Sequence, residues 1–186
     1  MNNKRLKMFL GIVIIIAILV CTGIYLYGKL SSSTINILDE YTPEEEISNE
    51  QIRRTIVKLY FKEINSNELK YENRNIDSKN LLTNPYDYLI NLLIEGPASD
   101  ELEKVIPDGT ILNSTKLVSD TLFVDFSDNL INIDASIELA SNIIYSIVNT
   151  LTQFNEVNCV KFLVNGNPNS MFKSCAFSLK DPFVLK

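Results

Sequence analysis

The sequence predicts an α+β fold: a two-layer sandwich, with a small, mostly antiparallel sheet carrying two helices on one face, preceded by an N-terminal transmembrane helix. Three observations lead there. An uncharged run, Met8 to Gly28, stands near the start of the 186 residues. Beyond Arg53, apolar stretches of period two alternate with stretches of period 3.6. The resulting order is β, β, α, β, β, α, β, and two helices with a small sheet can bury one shared core.

The uncharged run is bounded by Lys7 and Lys29. About 20 apolar residues in a helix cross a bilayer core of roughly 30 Å. Tyr25 and Tyr27 stand near its far end, where amphipathic rings favour the membrane interface. A buried core helix is rarely uncharged on every face. Lys4, Arg5 and Lys7 precede the run and only Lys29 closely follows it, so the positive-inside rule makes residues 1–7 a cytoplasmic tail and puts the rest outside. Residues 8–28 are then a single-pass anchor. Two alternatives stay open. A cleaved signal sequence would usually have a shorter apolar region, of roughly 7–15 residues. Lipidation at Cys21 would need a small residue before it, where bulky Val20 stands.

Residues 29–52 read as a stalk. They are rich in Ser, Thr and acids, with Pro43 and the run Glu44-Glu45-Glu46. Such a composition buries too little apolar surface to offset the entropy of ordering, and its charges repel. The folded domain is expected over 53–186. Thr55, Val57, Leu59 and Phe61 alternate with polar neighbours as a strand, Asn65-Ser66-Asn67 turns, and Leu69 to Ile76 is a weaker strand. Asn84-Pro85 opens a helix, with Asn as cap and Pro at the first position. Tyr86, Leu89, Ile90 and Leu93 give its inner face, and Gly96-Pro97 stop it. After the turn Pro107-Asp108-Gly109 come strands Thr110 to Val118 and Thr121 to Phe126, joined by Ser119-Asp120 as a hairpin. Leu122, Val124 and Phe126 share one face there. A long helix, Ile137 to Phe154, is capped by Asp134 or Ser136 and has Ala140, Ile144, Ile147 and Leu151 on its apolar face. Val160, Phe162 and Val164 mark a strand, Asn165-Gly166 a turn, and Cys175 to Leu179 a last short segment.

Composition narrows the chemistry. The chain has no His, which removes the commonest general base and metal ligand. Its three Cys form no zinc spacing. No metal or cofactor is expected. All 23 acidic residues lie beyond residue 29, while four of the 17 basic ones lie at or before it. The domain is therefore acidic, repels phosphate backbones and is not expected to bind nucleic acid. A Gly-x-Ser-x-Gly nucleophile is absent. Asp125, with Asp128 nearby, is the most tempting catalytic carboxylate, yet it alternates with core-facing Val124 and Phe126 and reads as solvent-facing or loop-capping. Asn165 to Asn169 is rich in turn formers. If it closes an antiparallel hairpin centred on Asn167, Cys159 falls opposite Cys175, within reach of a disulfide. Two small buried apolar residues are the competing reading.

Several pieces resemble one family in the right order. They are Leu59-Tyr60-Phe61, Leu92 to Gly96-Pro97, Ile106-Pro107-Asp108-Gly109-Thr110 and Val124-Asp125-Phe126-Ser127, then Asn149 to Thr152, Val160 to Gly166 and Asp181-Pro182-Phe183. Together they resemble the GerM domain of sporulation and spore germination proteins. The resemblance covers roughly 53–186. It implies an envelope-associated, non-enzymatic domain similar to the ring-building motifs of sporulation and secretion machinery, small α+β units that pack side by side. The expected function is a membrane-anchored interaction or assembly module on the outer face of the cytoplasmic membrane, in a sporulation or germination complex. Its expected partners are the membrane, envelope or sporulation proteins, and further copies of itself. The alternative is a domain binding cell wall or a small ligand and regulating an envelope enzyme.

Overall fold

The computed structural model describes residues 3–31 and 53–186. The chain divides into an N-terminal unit and the folded unit that follows. The N-terminal unit is helix α1, Asn3–Ser31. Its described side chains are 11, 12 and 14–29, and nearly all are exposed, Ile15, Leu19 and Ile24 among them. Among the described residues no helix is long and apolar enough to cross a membrane. The rest of the expected 8–28 span lies in side chains outside the described ones, as does nearly all of the expected stalk.

The folded unit is α+β, with small sheets and no closed barrel. Strands β1 (Arg54–Glu63) and β2 (Leu69–Asp77) pair antiparallel over their full length. The short β3 (Leu102–Glu103) adds to the other edge of β1, giving the order β2-β1-β3. Between them come the single turn α2 (Asn80–Thr83) and α3 (Pro85–Glu95). A second sheet holds β4 (Leu112–Val118), β5 (Thr121–Phe126) and β6 (Cys159–Val164) in that order. β4 and β5 are a tight antiparallel hairpin, with a bulge between Leu112 and Ser114. β5 and β6 run parallel, as their connection through α4 (Ile137–Leu151) requires. β7 (Met171–Phe172) and β8 (Phe177–Ser178) form a third, two-stranded piece.

The expected single sheet is therefore two three-stranded sheets, and α4 supplies the reason. Over Lys58 and Tyr60 it stands where β1 would accept another strand. The Gln153 amide accepts from Lys58 N–H and donates to Lys58 C=O. Thr150 Oγ1 accepts from Tyr60 N–H at 3.1 Å, and Ser146 Oγ donates to Tyr60 C=O at 2.6 Å. Three polar side chains one turn apart thus replace a strand's ladder. The opposite side of α4 delivers Ala140, Ile143, Ile144 and Ile147 to the core, which also takes Leu59, Phe61, Leu93, Val124 and Phe162. Helix α3 packs against α4, β1 and β4.

Local signals resolve in detail. Ser136 caps α4 by accepting from Leu139 N–H, leaving Asp134 out of the cap. Asn84 precedes Pro85 as expected but makes no side-chain cap bond. Gly96 ends α3 at φ 109° and ψ 178°, a region essentially reserved for glycine.

Candidate functional site

β1 and β2 present one face to solvent. Because side chains alternate, Ile56, Lys58 and Tyr60 of β1 share it with Tyr71, Asn73 and Asn75 of β2, which stand opposite them. Ile56 is 67% exposed and Tyr71 50%. The Tyr60 and Tyr71 rings meet at 5.7 Å, and the Lys58 ammonium sits 4.7 Å over the Tyr71 ring. Lys62 at the end of the face pairs with Glu103 of β3. An exposed aliphatic side chain, two aromatic rings and a ring-bound cation suit protein contact.

The inner face of the same strands is anchored by polar groups that periodicity does not show. The Glu72 carboxylate accepts from Ala98 and Ser99 N–H and pairs with Arg74, whose guanidinium also donates to Gly96 C=O. The amides freed beyond Gly96-Pro97 thus find a half-buried acceptor.

Most of the motif residues lie in the core or in turns. Leu59 and Phe61 are core residues, while Tyr60 lies on the open face. Gly96 turns the chain into the Pro97 loop, held by Arg74. Pro107 accepts from Thr110 N–H, and Gly109 takes φ 77° against Asn129, whose amide donates to Gly109 C=O at 2.7 Å. A Cβ at Gly109 would lie 2.8 Å from that amide nitrogen. Val124 and Phe126 are buried, and Ser127 exchanges bonds with Ile111. Asp125 Oδ1 accepts from Gly166 N–H at 2.9 Å, while Asp128 accepts from Asn132. Each carboxylate therefore holds a turn. Among the described residues no three carboxylates or thiols gather as a metal site.

The cysteines sit differently from the expected hairpin. Asn165 and Gly166 both take positive φ, so the turn is a two-residue one closed by Val164 opposite Asn167. The chain then leaves β6, builds β7–β8 and returns to place Phe183 opposite Val160. A hairpin centred on Asn167 does not form, and the register that set Cys159 opposite Cys175 is lost. Both thiols are free; Cys159 Sγ lies 3.2 Å from Thr121 Oγ1, and Cys175 packs against the core from the β7–β8 loop.

The returning segment is tied down by a residue absent from the sequence reading. Lys161, on β6, is buried, and its ammonium donates to the carbonyls of Pro168, Leu179 and Lys180. Burial lowers its pKa, with Asp181 opposing the shift. Beside it Phe183 meets Phe162, Phe177 and Tyr145. The only sequence trace of this latch is one Lys interrupting an otherwise apolar strand.

A separate cleft of about 350 Å³ lies along α4, lined by Asn67, Glu68, Ser141, Asn142, Tyr145 and Asn149, with Leu69 and Lys186. Its amides are largely spoken for: Asn142 donates to Asn67 C=O, and Asn149 accepts from Lys186 N–H.

The Germane family model, described as sporulation and spore germination, matches residues 58–170. Two solved structures share the fold. The tandem GerMN domains of the sporulation protein GerM from Bacillus subtilis align with a TM-score of 0.58 at 22% identity, over 77% of this chain and 50% of that one. The first GerMN domain of the same protein gives 0.59 at 21% identity, over 70% of this chain and 97% of that one. This chain thus spans half the length of the tandem structure. No curated protein matches it.

Proposed function

The chain belongs to the Germane family of sporulation and spore germination domains, and from that membership we propose that it is a membrane-anchored, non-enzymatic assembly module on the outer face of the cytoplasmic membrane. The family is not known for enzymes. The observation that carries the reading is the open face of β1 and β2, where Ile56 and Tyr71 stand exposed beside the Tyr60 ring and the Lys58 cation. Core-forming side chain types left in water on a regular sheet favour a protein partner. The anchor rests on the uncharged run 8–28 within a helix of 29 residues, and the orientation on Lys4, Arg5 and Lys7. In this reading α1 anchors the chain in the membrane and the sheet recruits envelope or sporulation proteins.

The test is capture from sporulating cells by the full tagged chain, compared with Ile56→Asp. Envelope or sporulation proteins should be recovered by the parent chain and lost with the variant. Equal recovery by both would move the partner surface elsewhere. Recovery by neither would count against an assembly role.

A cell-wall or small-ligand reading is favoured by one feature, the cleft along α4 with its amide, hydroxyl and carboxylate lining. Co-sedimentation with purified peptidoglycan, lost on Asn149→Leu, would support it over the first.

A further inference from the structure

We propose that the cleft along α4 binds a peptide through a lysine-type side chain, and that Lys186 of this chain is its resident competitor. The inference deepens the ligand-binding reading of that cleft and rests on it.

The cleft is built on one face of α4. Asn142, Tyr145 and Asn149 stand at i, i+3 and i+7, so they line up along the helix over a rise of about 10 Å. Asn67 and Glu68, at the turn between β1 and β2, stand on the other wall. Asn142 and Asn149 are each more than nine-tenths buried. Each uses one end of its amide inside the protein. Asn142 Nδ2 donates to Asn67 C=O, and Asn149 Oδ1 accepts from Lys186 N–H. Among the described residues the other ends, Asn142 Oδ1 and Asn149 Nδ2, have no protein partner, and both residues line the open space. A few polar groups converging on a concave space of about 350 Å³ are what a small ligand site consists of.

The present occupant shows what the cleft accepts. Lys186 gives its backbone N–H to Asn149 at 3.2 Å and lays its ammonium 5.0 Å over the Tyr145 ring. It takes the cleft as any acylated residue with a primary ammonium would, with its main chain at one end and its cation over the ring. Its hold is slight. Lys186 is exposed, and among the described residues it makes no ion pair. One backbone bond and one cation–ring contact can be exchanged for the same two contacts from a ligand.

Electrostatics select the same chemistry. Glu68 brings a carboxylate to the wall, and among the described residues it makes no ion pair, since nearby Lys70 pairs with Glu63. Asn149 lies in the last turn of α4, where the helix dipole favours a cation. All 23 acidic residues of the chain lie beyond residue 29, so the wider field also draws cations. An anionic ligand would meet Glu68 and the negative end of the helix. A free amine without an acylated main chain would leave Asn149 Oδ1 without its N–H. A lysine-type residue within a peptide satisfies both ends.

The full chain in detergent micelles tests this with N-acetyl-L-lysine methylamide, which carries both recognised groups. Titration followed by nuclear magnetic resonance should shift the side-chain amide signals of Asn142 and Asn149 saturably. N-acetyl-L-norleucine methylamide, of similar length but uncharged, should leave them in place. Glu68→Gln should weaken the lysine probe about fivefold, the most that an exposed ion pair contributes. Lys186→Ala should strengthen it about threefold, because a site filled most of the time by its own occupant lowers the apparent affinity by the fraction left free. Both residues are exposed, so both variants should keep the circular dichroism of the parent chain. Equal binding of the two probes, no response to Glu68→Gln, or weaker binding by Lys186→Ala would overturn the proposal. Co-sedimentation of the parent chain with peptidoglycan, while the lysine probe leaves the amide signals unmoved, would refute lysine recognition and leave the cell-wall reading standing. Saturable binding of the lysine probe without co-sedimentation would uphold the recognition and place the peptide outside the wall.

Discussion

Asp125 is the acid in this sequence that most invites a catalytic role, and its carboxylate is spent on Gly166 N–H at the mouth of a two-residue turn. Replacing Asp125 with Ala should lower stability by about 1 kcal/mol, the size of one such bond on a half-buried strand. Thermal unfolding reads this as a Tm lower by about 3 °C. Tyr86 offers a second test at this scale. Burial first, and then its hydrogen bond to Glu156, push its phenol up to about 12. A raised acid holds its proton in the folded state after the unfolded chain, near pH 10, has lost it. The stability this group contributes is therefore whole below about pH 10 and falls as pH rises toward 12. In Tyr86→Phe that part of the decline should vanish, so the Tm difference between parent and variant should shrink across the window. A difference independent of pH would show that Tyr86 does not titrate in it.

Helix α4 explains why the elements were legible and the sheet was not. Its apolar face, from Ala140 through Leu151, is plain in the 3.6 spacing, and so is its start after Ser136. The strands β1, β5 and β6 follow from alternation, and Gly96-Pro97 and Asn165-Gly166 from turn chemistry. What the pattern conceals is the second face of α4. Ser146, Thr150 and Gln153 look like ordinary polar positions, but Ser146 and Thr150 are fully buried and serve the backbone of β1. A hydrophobicity pattern treats such residues as solvent-facing, so one continuous sheet was expected where α4 intervenes. Lys161 was missed for the same reason: a buried ammonium on three carbonyls depends on contacts distant in sequence. The Cys159–Cys175 register failed because the turn is centred on Asn165-Gly166, with Val164 opposite Asn167, and the chain then departs. Thr150→Val keeps the volume and removes the acceptor of Tyr60 N–H. It should cost about 1–3 kcal/mol, measured by urea unfolding with an unchanged slope. A neutral result would mean that Tyr60 finds another partner.

At the scale of the whole molecule, the fold and the family are shared with the GerMN domains, while anchoring and assembly are proposals with separate failures. If α1 holds the chain by helix burial, Cys21→Ser should stay in the membrane fraction after alkaline washing, since no lipid on that thiol is needed. Release of the variant alone would assign anchoring to a modified Cys21. The most direct test of the assembly claim is photo-cross-linking of the membrane-anchored chain in sporulating cells. A photoreactive residue replaces Ile56 on the open sheet face or Leu82 on α2, both of which are exposed. The account predicts discrete protein adducts from position 56, containing envelope proteins or a second copy of the chain, and none from position 82. Adducts at 82 with none at 56 would contradict it.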